Sequence, residues 1–209
     1  MTVVWDGCRN GSSRTPSDVQ IFSHLSVLIS IVLGLGLTHL LSRIGELFQA
    51  RATYGDQVHI YWVQMAWVII VFVAHVQLWW ALYLWTERLE SASFFDFILV
   101  LLGPVTLFLA SRIVLPDIED NPTIDLKEYF HAIRPWFFTM LALYPVVAAV
   151  TEFALEDWSL RPSRLMQLAL SAVVLPGAFV RSEHFHRALV LLILGIVLVF
   201  ITSFTLRLG

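Results

Sequence analysis

The stretch IYWVQMAWVIIVFVAHVQLWWALYLWT, residues 60–86, contains no Asp, Glu, Lys or Arg. As a helix rising 1.5 Å per residue it is about 40 Å long, enough to cross the roughly 30 Å hydrocarbon core of a bilayer. Tyr61 and Trp62 open it, and Trp79, Trp80, Tyr83 and Trp85 close it. That is the aromatic pattern of a segment whose two ends sit at headgroup level. No soluble fold keeps such a run in water, and in lipid only a helix satisfies its backbone internally.

Working outward, the same reading applies to the rest of the chain. Residues 19–48 are apolar enough to span, and Arg43, Glu46 and Gln49 supply the polar exit on the far side. Residues 93–115 hold Gly103 and Pro104 at their centre and stop before Pro116. A further span is expected from Pro135 to Leu155, another over 162–181, opened by Pro162 and perturbed by Pro176 and Gly177, and a last over 185–207. The fold class is therefore all-α, a polytopic transmembrane bundle of about six spans with short loops. Both termini then lie on one side.

Residues 1–18, with Gly7, Gly11, Ser12, Ser13 and Pro16, read as a flexible tail, and 19–209 as one transmembrane domain. The apolar run before Ala50 is too long for the core of a cleavable signal, so the first span is expected to be permanent. An amphipathic segment over 125–133 is expected to lie at the interface: Asp125 and Glu128 have capping-box spacing, and Leu126, Phe130 and Ile133 share a face. No loop is long enough to fold alone.

Composition agrees. Hydrophobic residues make up 58% and charged residues 14%, against about 25% charge in soluble domains. A net charge of −3 with no basic cluster excludes a nucleic-acid partner. Cys8 is the only cysteine, which rules out an internal disulfide and a cysteine metal cage. Positive residues divide six on the side of the termini and seven on the other, a narrow margin that places the termini outside the cytoplasm.

Polar residues at depth are the candidate functional groups, because each costs on the order of 2–3 kcal/mol if left unpaired. His39, Ser42 and Glu46 share one face of the first span, and Gln64 and His75 share one face of the second. Asp96 and Glu152 lie toward the side of the termini and could extend a path from His75. A polar route for protons or ions through His39, Glu46, Gln64, His75 and Asp96 competes with plain interhelical hydrogen bonding. Ser26, Ser30, Gly34, Thr38 and Ser42 recur every fourth residue and form a helix-packing face. Packing within the subunit is the first reading of this face, packing between subunits the second, and lining of a cavity the third.

No metal site is predicted. His184 and His186 flank Phe185, but residues two apart on a helix point to different sides. Nor is a cofactor predicted: counting up from the turn near Thr53 leaves His39 and His75 about 12 Å apart in depth, which disfavours a bis-histidine haem. Lys127, the only lysine, lies outside the spans, which excludes a buried retinal Schiff base. No Gly-x-Ser-x-Gly turn, phosphate loop or His-Glu-x-x-His helix occurs, so the reading leans away from an enzyme.

The expectation is a small multi-pass protein of the cell membrane, resembling in pattern those of the bacterial inner membrane. It would serve as an oligomeric proton or ion channel or transporter. A non-catalytic accessory or scaffold subunit of a larger complex is the alternative, and a haem- or quinone-binding redox subunit is a further one. Its partners would be membrane lipid and either its own copies or another membrane protein.

Overall fold

The computed structural model describes residues 16–84, 93–117, 124–157 and 159–208. Six α-helices account for most of them: α1 Pro16–Tyr54, α2 Trp62–Leu84, α3 Phe94–Ile113, α4 Leu126–Leu155, α5 Pro162–Val174 and α6 Glu183–Leu208. The chain is an all-α helical bundle, and five of these helices contain stretches long and apolar enough to cross a membrane: Ser26–Gln57, Trp62–Tyr83, Phe94–Ile113, Leu126–Leu155 and Glu183–Thr202. These helices fit a membrane protein.

Helix ends are set by local chemistry. α1 stops at Gly55, whose φ of 57° lies in the left-handed region that favours a residue without a Cβ. There Arg51 Nη1 donates to the Gly55 and Val58 carbonyls, at 2.7 Å each, tying the last turn of α1 to the connection that follows it. Ser93 and Asp96 form a reciprocal capping box at the start of α3. Asp125 caps α4 by accepting from the Lys127 and Glu128 amides. Val58–His59 and Ile124–Asp125, β1 and β2, pair in parallel and fasten the α1–α2 connection beside the start of α4.

Several boundaries differ from the sequence expectation. Pro16, Ser17 and Asp18, assigned to the tail, already belong to α1, which continues to Tyr54 rather than ending near 48; the rest of that tail, with Cys8, lies outside the described residues. The interfacial segment 125–133 is not separate from the span 135–155. They are one helix of 30 residues running through Pro135 and Pro145. Buried Phe130, Phe137 and Phe138 grip it on both sides of Pro135, and this packing outweighs the one backbone hydrogen bond that proline removes.

The expected fifth span, 162–181, is an α-helix of 13 residues followed by a 3₁₀ turn, Leu175–Ala178. Pro176 and Gly177 end the regular helix, leaving about 20 Å of α-helix and about 28 Å with the turn. It falls short of the five span-length helices. α5 runs back along α4: Ser171 Oγ donates to the Ala142 carbonyl at 2.8 Å, and Gly177 lies so close to Phe138 that a Cβ there would meet the ring at 2.7 Å.

The core is aromatic. Trp67 of α2 meets Phe138 edge-on at 5.0 Å and Phe137 at 5.9 Å, while Tyr61 and Phe130 lie 5.6 Å apart. His186 of α6 stacks on Phe138 at 5.4 Å. Offset and edge-on ring pairs of this kind add specificity beyond burial alone.

Candidate functional site

On α1 the side chains that turn inward are Ile29, Leu33, Gly36, Leu40, Leu47 and Ala50, with Arg43 only slightly exposed between them. This is a seam of alternating three- and four-residue steps, the spacing of helices that pack along their length. Gly36 sits in it for a steric reason. His75 of α2 is fully buried, and a Cβ at Gly36 would lie 2.4 Å from its Nε2. The imidazole occupies a notch that only glycine leaves open.

His75 Nδ1 bonds the Val71 carbonyl, one turn earlier on its own helix, at 2.8 Å, and its Nε2 has no hydrogen-bond partner among the described residues. Because Nδ1 faces a carbonyl it carries the proton, and Nε2 is a bare acceptor. His39 is the reverse case. Arg112 Nη1 donates to His39 Nδ1 at 2.9 Å, and since a guanidinium only donates, the neutral ring holds its proton on Nε2. That nitrogen too is buried and without a partner.

Gly36 and His39 are three residues apart, so the two imidazoles lie within about one turn, or 4.5 Å, in depth. The expected 12 Å stagger is not found. Residues 55–61 form a 3₁₀ turn, a two-residue strand and a connection instead of continuing to climb, which lowers α2 against α1. Even so, the pair does not fit a haem iron. His75 Nε2 is closed off by the backbone at Gly36, its Nδ1 is engaged with Val71, and His39 Nδ1 is engaged with Arg112.

Near His39, Arg43 donates to Glu46 at 2.8 Å and also to Asp117, tying α1 to the chain just past α3. Gln64, expected on a polar route, instead donates from Nε2 to the Val114 carbonyl at 2.6 Å. Tyr129 donates to the Ile113 carbonyl at 2.9 Å. Both close the end of α3, where carbonyls lack helical partners. Asp96 caps the other end of α3 through Ser93, accepting from its amide at 2.9 Å and its hydroxyl at 2.8 Å. The structure thus sets His39 and His75 at similar depth, joins Glu46 to Arg43, and sets Gln64 and Asp96 at opposite ends of α3.

The small-residue ridge lies elsewhere than the seam. Ser30, Gly34, Thr38 and Ser42 are exposed and Ser26 half-buried, so among the described residues the ridge from Ser30 to Ser42 is not packed against another helix of the chain. Gly34 is two residues from Gly36, which puts it about 160° round the helix from the buried seam.

A polar network that the sequence reading had not singled out joins α4 to α5. Arg164 has a fully buried side chain, with Nη1 donating to Asp157 Oδ1 at 3.0 Å and Nη2 to the Glu152 carbonyl at 3.0 Å and Glu156 Oε2 at 3.1 Å. Its guanidinium also lies 4.5 Å over the Phe153 ring. Glu152 accepts from Gln167 at 2.7 Å and Ser163 at 3.0 Å, so it serves this corner rather than a route from His75. Acids at 152, 156 and 157 followed by Arg161 and Arg164 were the available signal. The Ser159 hydroxyl and amide, then Arg161 and Arg164, hold the Asp157 carboxyl well below its usual range.

His184 is exposed and His186 buried, with Nε2 bonded to the Val180 carbonyl at 2.8 Å, so the two diverge. Among the described residues no group of three or more His, Cys, Asp or Glu is placed to hold a metal ion.

No family model, curated protein or solved structure matches the chain. The geometry alone therefore guides the functional reading.

Proposed function

We propose that this chain is a multi-pass protein of the cell membrane, of the bacterial inner-membrane type, that works through its lateral surface as a non-catalytic accessory or scaffold subunit. The observation that carries this reading is the outward-facing ridge of α1. A Cβ added at Gly34 or Gly45 would meet nothing within 4 Å, and Ser30, Thr38 and Ser42 are exposed alongside. Small residues let a neighbouring helix approach closely, and in lipid such packing drives helix association where hydrophobicity cannot. The polar side chains at depth support the same reading, since Gln64, Thr106, Ser111, Thr151 and Ser171 each bond a backbone carbonyl.

Purification in mild detergent after crosslinking in the membrane tests it. A second membrane protein or a second copy should crosslink through α1 and be lost in Gly34→Leu. A chain that remains monomeric in both forms overturns the reading.

A second reading, an oligomeric proton or ion channel or transporter, is favoured by the unpaired Nε2 atoms of His39 and His75 within a turn of each other. Flux into liposomes across pH and voltage separates the two. Absence of flux, together with silent His39→Ala and His75→Ala variants in cells, eliminates it.

A further inference from the structure

At the end of the bundle where α4 begins, Arg134 is 8% exposed. Its one hydrogen bond among the described residues runs from Nε to the Ala178 carbonyl, and at 3.5 Å it is long. No described carboxylate lies within ion-pair distance of it. Arg181, three residues beyond Ala178, is exposed and likewise has no described acid partner. The two guanidinium groups are close enough for their charges to act on each other, and His131 stands one turn before Arg134 on α4.

The neighbouring charges are already committed. Glu183, the acid nearest this end of α6, accepts from Lys127 at 2.9 Å and Arg187 at 2.5 Å. Elsewhere at this end Arg43 pairs with Glu46 and Asp117, and Arg51 with Asp56. Arg134 and Arg181 therefore form a pair of like charges, one of them nearly buried, without a described counter-ion. Two like charges held close repel each other, and with no counter-ion among the described residues an anion from outside the chain is what would relieve that repulsion.

Depth and shape indicate which anion. The apolar part of α4 starts at Pro135 and reaches Ala154, about 30 Å of helix, so Arg134 falls at headgroup level. Trp136 and Phe179, 69% and 76% exposed, belong to the same end of the bundle, and aromatic rings favour that level. Guanidinium is planar and forked, and it pairs with phosphate oxygens two at a time. We propose that Arg134 and Arg181 form a binding site for one phosphate group at the membrane surface, carried by an anionic lipid headgroup or by a free phosphate. This site is independent of the lateral association proposed above.

The test uses the full chain reconstituted in phosphatidylcholine vesicles, in the same vesicles containing phosphatidylglycerol, and in phosphatidylcholine vesicles with added inorganic phosphate. Thermal unfolding and native mass spectrometry of retained lipid are the readouts. Arg181→Gln is the principal variant because the residue is exposed and its loss should not disturb folding; Arg187→Gln, whose partner is Glu183, is the control.

Phosphatidylglycerol should raise the unfolding temperature of the wild type and be retained. Retention should fall about fivefold in Arg181→Gln, the effect of losing one surface arginine near an anionic headgroup, and hold in Arg187→Gln. Stabilisation by inorganic phosphate alone, lost in Arg181→Gln, would assign the site to a free phosphate. Equal loss in both variants, which marks general surface charge, or no response of the wild type to either anion, overturns the proposal.

Discussion

Gly36 and His75 illustrate what a single residue decides in this bundle. The imidazole fills the space a side chain at position 36 would occupy, so Gly36→Ala forces α1 and α2 apart or drives His75 off its rotamer. A loss of about 1–3 kcal/mol is expected, the cost of overpacking a tight contact, measured by reversible unfolding in detergent. His75→Ala should relieve it, so the double variant should lose less than the sum of the singles. Gly34→Ala, with open space around it, should be neutral or slightly stabilising because it removes a helical glycine. The polar character of position 75 was legible from its depth in residues 60–86. The notch at position 36 was not, because nothing local distinguishes it from Gly34 two residues away.

Among the elements, α5 depends most on polar contacts. It is short, and its start is anchored to the end of α4 by Arg164. Arg164→Ala leaves Glu152, Glu156 and Asp157 facing one another without their buried cation, and a destabilisation of about 3–5 kcal/mol is expected. Arg161→Ala should cost less than about 1 kcal/mol, since Arg161 is exposed, its pair with Asp157 is solvated, and Glu156 keeps Arg164 as a partner. Hydrogen exchange across residues 152–174 distinguishes local release of α5 from global unfolding.

The pH response of this corner has a definite sign. Asp157 is depressed in the folded chain, so its stabilising contribution is complete above the ordinary value of 3.8 and is lost only as pH falls through the lower folded value. Acidification from neutrality to about pH 4 should therefore leave the Asp157 contacts intact. Exchange protection at residues 157–164 that collapses already near pH 5 would contradict this assignment. The short helix was only half legible in advance: Pro162, Pro176 and Gly177 mark its ends, but the buried role of Arg164 needed two helices folded back on each other.

For the whole molecule, the contrast between the seam and the ridge of α1 leads to a prediction about assembly. Gly34→Leu should leave the unfolding temperature of the isolated chain nearly unchanged, because the position is exposed, yet should reduce crosslinking through α1 in the membrane. A large drop in stability would instead mean that the ridge is packed within the chain. The positions of the apolar helices, the cap at Asp125 and most of the helix ends could be read from residue order alone, because run length, proline, glycine and capping side chains act within a few residues of themselves. Which face of each helix turns inward could not be read this way. Lipid is as apolar as the core, so hydrophobicity does not separate inside from outside. That choice fell to shape and charge meeting across the chain: the glycine notch against His75, Phe138 against Gly177, and Arg43 reaching Asp117.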